Sequence, residues 1–304
     1  MDRLFQYTCD EPPLTCRWDE IGSRAGAAKA ADPDFKTLVT TTVQDADANG
    51  VTGSIDVLVP VVNYMDDKPG QARAGDQRAA YDSFLSGARK ELWLYESCMS
   101  HGCGGTVDMG SSNAWDQYTT GWPSYVIDAS AARNRAMEWI SFVEQASGEL
   151  YWETAYAFSH DAWSNQWDFS GNGDGTLFYP GTPSRIGGTT DIPIASIRLK
   201  MIREGMEDYE YLKLLSDSGD PQMARSVARD LFPSAYHTDV DPAKVMAARE
   251  AIANRILQLT GKPAPADAPA HGGCETGRGA GGLALLALPA VLALAAVRRR
   301  RAVR

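Results

Sequence analysis

Basic residues are scarce in this chain: 29 Lys and Arg stand against 39 Asp and Glu in 304 residues, a formal charge of −10 at pH 7. The body is more acidic than that figure suggests. Arg278, Arg298 to Arg301 and Arg304 crowd the C-terminal end, where Asp267 and Glu275 are the only acids after residue 266. A negative body argues against nucleic acid as a partner, because phosphate binding needs a basic surface. Histidine is also rare, at four residues. His101 and His160 are available to a Ser/His/Asp hydrolase, but no G-x-S-x-G elbow presents the serine. No G-x-G-x-x-G follows a strand, and Gly171-x-Gly173-x-Gly175 lacks that spacing and setting.

The five cysteines (Cys9, Cys16, Cys98, Cys103, Cys274) match no zinc spacing. Cys98 and Cys103 bracket a short loop with His101, which reads as a loop-closing disulfide in an oxidising compartment or, equally, as two thiols. Asp168, Ser170, Asn172 and Asp174, with Gly173, imitate the start of a calcium loop. Its twelfth position would be Tyr179, not the bidentate Glu that calcium requires. No metal and no cofactor are expected. Met1-Asp-Arg lacks the basic region and following apolar run of a signal peptide.

What is present is an alternation of strand and helix. Strand-like runs occur at Leu4 to Cys9, Thr37 to Val43, Ser54 to Val62, Glu91 to Glu96 and Glu149 to Ala155, rich in β-branched and aromatic residues. Helical spacing marks 76 to 89 and 131 to 145 between them. A longer stripe runs through Ile194, Ile197, Met201, Ile202, Met206, Tyr209, Leu212 and Leu215, with Arg198 and Asp208 mainly off that face, and Gly205 marks a close helix crossing. Two amphipathic helices, 221 to 231 and 242 to 259, finish the domain. Alternation of this kind implies parallel strands with crossover helices. The fold class is α/β, the C-terminal part of a (β/α)8 TIM-like barrel occupying residues 1–261. Eight Trp, 12 Tyr and 8 Phe suit sugar stacking and a large core alike.

The run Phe5-Gln-Tyr-Thr-Cys-Asp-Glu-Pro-Pro13 ends a strand in two adjacent carboxylates, Asp10 and Glu11. A barrel delivers strand-end residues to its rim, where such folds keep their chemistry. Neighbours in a regular strand point to opposite faces, so both acids meet one substrate only if the strand has ended, as Pro12-Pro13 dictates. Close carboxylates split roles because each charge raises the pKa of the other. Adjacency does not suit the usual acid and nucleophile, which flank the bond at ~5 Å or more. It suits a substrate-assisted reaction, in which one acid protonates the leaving oxygen while its neighbour steers a 2-acetamido group. Tyr64, Trp93, Tyr95 and Trp152 at strand ends offer ring faces to a sugar, and Asn63, Glu153 and Asp174 offer hydrogen bonds.

With these segments together, the chain resembles the catalytic domain of glycoside hydrolase family 123, also described as DUF4091. The motifs are FQYTCDEPP (5 to 13), LVTTTV (38 to 43), ELWLYESC (91 to 98), GWPSYVIDASAARNRAMEW (121 to 139), GELYWETAYAF (148 to 158), GNGDGTLFYPG (171 to 181) and IASIRLKMIREGMEDYEYLKLL (194 to 215). The resemblance implies a (β/α)8 barrel and retaining removal of β-linked N-acetylgalactosamine by acetamido participation. Glu11 would be the general acid/base and Asp10 would orient the acetamido group. Tyr64, Trp93, Tyr95 and Trp152 would line the glycone pocket. In the family the acid pair ends a mid-barrel strand, so earlier strands and a β-sandwich are expected upstream of this sequence. The competing expectation is a truncated, inactive carbohydrate-binding or structural remnant.

The tail is a separate matter. A Pro/Ala/Gly linker with Gly273-Cys274 (262–279) precedes an uncharged Leu/Ala stretch, Ala280 to Val297, and then Arg298 to Arg301. That stretch is just long enough for a single transmembrane-type helix, with the arginines cytoplasmic. It resembles a MYXO-CTERM sorting signal of myxobacterial surface proteins. The resemblance implies a membrane partner, a processing protease acting near Cys274 and attachment at the cell surface for residues 280–304.

Overall fold

The computed structural model describes residues 4–103, 114–169 and 171–262, apart from the side chains of Trp115 and Asp116. Five strands form one parallel sheet: β1 (Phe5–Cys9), β2 (Lys36–Val39), β3 (Val57–Leu58), β4 (Glu91–Tyr95) and β5 (Gly148–Leu150). Their order in the sheet is their order in the chain. Tyr7 lies opposite Leu38, Leu38 opposite Val57, Val57 opposite Glu91, and Trp93 opposite Gly148. Sequential parallel strands with covering helices make a curled half-barrel, as in a partial TIM-like fold.

The sheet buries both faces, which is why its strands carry apolar residues at successive positions rather than alternate ones. Val39, Leu58, Leu92 and Leu94 face the helical layer and join the large core with Ile21 of helix α1 (Trp18–Ala31) and Trp139 of α2 (Ala136–Val143). Leu38, Val57 and Val59 face inward with Trp93, Tyr95 and Leu150. The strands are shorter than the sequence runs suggest, because the chain leaves the sheet for the rim as soon as the ladder ends. The 76 to 89 stretch is also reduced, to a 3-10 turn at Arg78–Tyr81 and one helical turn at Asp82–Leu85.

Three helices close the domain: α3 (Ile197–Asp217), α4 (Pro221–Leu231) and α5 (Pro242–Thr260). Each has a side-chain cap at its start. Ser196 accepts from the Leu199 N–H, Asp220 from that of Met223, and Asp241 from that of Ala243, with proline at the first helical position of the last two. The sequence stripe placed Ile194 in the first of these helices. It lies instead in a strand, Ile192–Ala195, paired antiparallel with Phe178–Gly181.

The buried face of α3 also differs from the apolar stripe. It runs through Arg198, Ile202, Gly205, Asp208, Leu212 and Leu215, whereas Ile197 and Met206 are exposed. Two charged residues enter the core, each with several partners there, although Asp208 Oδ1 has only Arg249 Nε at 3.5 Å and no hydrogen bond. Arg198 donates to the carbonyls of Tyr125, Gly173 and Thr176 and to Gln166 Oε1. Asp208 Oδ2 accepts from Arg135 Nε at 3.1 Å and Nη2 at 2.5 Å, and from Trp139 Nε1 at 2.9 Å. Gly205 marks the close crossing of α3 over α2, since a Cβ there would collide with the Glu138 carboxylate.

Among the described residues no helix is long and apolar enough to cross a membrane. The stretch 280–297 and Cys274 lie outside them. Removing one partner of a buried ion pair leaves an uncompensated charge, which costs about 3–5 kcal/mol. Asp208→Ala is therefore expected to lower the unfolding free energy by that amount in urea titrations. A loss below about 1 kcal/mol would mean that Arg135 finds other partners.

Candidate active site

β1 ends at Cys9, and both following acids line one cavity of about 610 Å3 at the rim of the sheet. The physical reason is local. Glu11 takes a left-handed backbone conformation, φ 43°, which breaks the alternation that would send its side chain away from that of Asp10. The turn is held from several sides. The Leu14 N–H donates to the Glu11 carbonyl at 2.7 Å, Thr15 Oγ1 donates to the Asp10 carbonyl, and a disulfide joins Cys9 to Cys16.

Each carboxylate has its own anchors. Asp10 Oδ1 accepts from Tyr7 Oη at 2.5 Å and from Thr40 Oγ1 at 2.9 Å. Glu11 Oε1 accepts from Tyr95 Oη at 2.6 Å, and the Glu11 N–H donates to Thr40 Oγ1 at 2.7 Å. Burial, together with the adjacent carboxylates, pushes the Tyr7 and Tyr95 phenols upward, so both remain protonated donors at neutral pH. The floor thus combines two acids with three hydroxyls.

Of the other residues singled out in the sequence, Tyr64, Trp152 and Asp174 line the same cavity. Asp174 Oδ1 accepts from Trp152 Nε1 at 3.0 Å and Tyr151 Oη at 3.2 Å, and burial raises its pKa. The loop that carries it is clamped by Arg198 through the Gly173 and Thr176 carbonyls.

Trp93 lies outside this group. It shares a face with Tyr95, but two residues of strand place it roughly 6–7 Å deeper. There it packs edge-on against Phe5 and over Gly148, and its Nε1 donates to Glu91.

Behind the cavity lies a set of acids that no motif in the sequence marks. Glu96 and Glu138 are buried in the domain interior, Glu149 is half-buried, and the Tyr125 hydroxyl donates to Glu149. Glu96 Oε2 lies 3.9 Å from His101 Nε2, but this is not an ion pair. Burial lowers the His101 pKa to about 4, Nδ1 pairs with the Gly102 carbonyl, and Nε2 accepts from the Ser97 N–H. Cys98 and Cys103 beside Glu96 form a disulfide and offer no thiolate to a metal. The available signal was position: Glu96 directly follows β4, and Glu149 sits within β5.

Burial is the first cause of the raised pKa of Glu149, to about 7, and of Glu144, to about 8. It moves Glu96 and Glu138 in the same direction. The folded chain therefore holds protons that the unfolded chain releases near 4.5. Stabilisation from these groups is complete below that value and is lost as pH climbs through 7 and 8. Melting temperature is expected to fall from pH 5 to pH 8, and Glu149→Gln should flatten part of the decline. A melting temperature that rises across this range would contradict the assignment.

Comparison with known proteins gives two findings. Residues 112–215 match the family model described as glycoside hydrolase 123, catalytic domain. A solved structure described as "The details of glycolipid glycan hydrolysis by the structural analysis of a family 123 glycoside hydrolase from Clostridium perfringens" aligns over 84% of this chain at 15% identity and a TM-score of 0.49. The chain covers 41% of that protein's length. No curated protein matches. Over residues 112–215 the chain is similar to the catalytic domain of glycoside hydrolase family 123, the family that its motifs resemble.

Proposed function

We propose that the chain is a retaining glycoside hydrolase that removes β-linked N-acetylgalactosamine by substrate assistance, with Glu11 and Asp10 as its acid pair. The observation that carries this reading is the placement of two adjacent carboxylates on one cavity, each with separate hydroxyl anchors.

In the first step the Glu11 carboxylic acid protonates the leaving glycosidic oxygen. The carbonyl oxygen of the 2-acetamido group attacks the anomeric carbon from the opposite face, and the C–O bond to the leaving group breaks. Asp10 accepts a hydrogen bond from the acetamido N–H and offsets the positive charge that develops on the oxazolinium ring. Both anchors of Asp10 fall on Oδ1, which leaves Oδ2 for the acetamido group. In the second step the Glu11 carboxylate removes a proton from water, which opens the ring at the anomeric carbon. Two inversions give net retention, and no second carboxylate is needed as nucleophile. Tyr95 holds Glu11 through one oxygen, and Asp174 lines the same cavity.

The tail reading stands beside this as a proposal from sequence alone: residues 280–304 direct the protein to the membrane as a sorting tail, with processing near Cys274 and attachment at the cell surface. Cell fractionation with and without the tail tests it, since equal release of both forms would remove the anchor.

Activity is tested with a chromogenic β-N-acetylgalactosaminide. Glu11→Gln and Asp10→Asn are each expected to lower kcat by at least about 100-fold, the scale of one general acid or one charge-stabilising group. The matching β-galactoside, which lacks the acetamido group, should be hardly cleaved. Equal turnover of the two sugars would rule out the assisted route, and saturable sugar binding without turnover would favour the binding remnant.

A further inference from the structure

Three threonines leave β2 together, Thr40, Thr41 and Thr42, and all three line the cavity. Thr42 has a local task, since it caps the short helix Val43–Ala48 by accepting from the Asp45 N–H. The side chain of Thr40 turns instead to the exit of the neighbouring strand. It is only 4% exposed there, and its backbone N–H donates to the Cys9 carbonyl at 3.3 Å.

A hydroxyl carries one hydrogen and two lone pairs, so the contacts of Thr40 Oγ1 can be assigned. The Glu11 N–H, 2.7 Å away, can only donate and occupies one lone pair. Tyr7 Oη stands 3.2 Å away on another side, and its own hydrogen goes to the nearer Asp10 Oδ1 at 2.5 Å. The Thr40 hydrogen is left with Asp10 Oδ1 at 2.9 Å, a carboxylate oxygen and the strongest acceptor in reach. One buried hydroxyl thus fixes the rotation of the Asp10 carboxylate. Its hold on Glu11 is different in kind. Thr40 meets Glu11 at the backbone, whereas the Glu11 carboxylate is held by Tyr95.

We propose that Thr40 is the positioning residue of the acetamido step: its hydroxyl turns Asp10 so that Oδ2 faces the N–H of the 2-acetamido group. This rests on the reading of Asp10 and Glu11 as the acid pair. Thr40 acts through Asp10 and not by touching the sugar, because its hydrogen is already committed to Oδ1. The Asp10 contact gains strength as positive charge develops on the ring that the acetamido group forms, so loss of its alignment falls on kcat more than on KM.

The full chain is assayed with the chromogenic β-N-acetylgalactosaminide. Thr40→Val keeps the branched shape and removes the hydroxyl. It is expected to lower kcat about 10- to 100-fold, the share of one hydrogen bond to a charged group, with KM changed less than about threefold. Thr40→Ser restores the hydroxyl and should recover most of that loss. In an Asp10→Ala background, Thr40→Val should cost less than about twofold, since the group it positions is gone. Unchanged kcat in Thr40→Val, or a full penalty in the Asp10→Ala background, would overturn the proposal. Turnover that survives both Asp10→Asn and Glu11→Gln would instead sink the acid-pair reading, and this proposal with it.

Amide hydrogen exchange, followed by NMR, needs no turnover. The Glu11 N–H should be protected in the wild type and in Thr40→Ser, and should exchange at least about tenfold faster in Thr40→Val. Unchanged protection across β1 would show that the fold itself is intact. In a chain that cleaves nothing, faster exchange confined to Glu11 still supports the link through Thr40. Equal protection in all three proteins overturns it.

Discussion

One hydroxyl group joins the two acids. Thr40 Oγ1 accepts the Glu11 N–H and donates to Asp10 Oδ1, and the Thr40 N–H itself donates to the Cys9 carbonyl. The residue is buried, at the point where the ladder between β1 and β2 gives out. A hydrogen bond to a charged group contributes about 1.5–3 kcal/mol, enough to hold a left-handed glutamate that would otherwise relax. Everything else at the rim is arranged around this link. The Cys9–Cys16 disulfide closes the loop behind it, Tyr7 completes the anchoring of Asp10, and Tyr95 draws Glu11 across the cavity.

The same sheet imposes a second constraint. Strands β4 and β5 carry the rear wall of the cavity and also carry Glu96 and Glu149 behind it, where burial raises the pKa of both carboxyls. An acidic cavity therefore stands in front of interior carboxyls that hold their protons to higher pH than usual. The glycine-rich loop joins the two regions, because Asp174 lines the cavity while Arg198, from α3, holds the loop's carbonyls from behind.

Much of this layout was legible in the sequence, for identifiable reasons. The five strand runs and the last helices declare themselves through period and length, and Asp10-Glu11-Pro-Pro marks a strand exit without any tertiary information. Trp93 is the instructive departure. Its face is correct, but depth along a strand depends on where the ladder ends, and no local pattern reveals that. Arg198 and Asp208 show the same limit for helices. An apolar stripe locates the core only when buried polar groups lack partners, and here those partners lie 73 residues away, at Tyr125 and Arg135. Trp152 was singled out from its strand-end position, whereas its contacts with Tyr156 and Phe169 are set by the tertiary fold.

The central claim is that the acetamido group is the nucleophile and that Asp10 braces it. A GalNAc-derived thiazoline has the shape of the oxazolinium ring but resists opening, so its binding reports on that intermediate without relying on turnover. Calorimetric titration of the full chain with this compound tests the claim most directly. Tight one-to-one binding that is largely lost in Asp10→Ala is the result the account predicts. Absent binding, or binding that Asp10→Ala leaves intact, would contradict it.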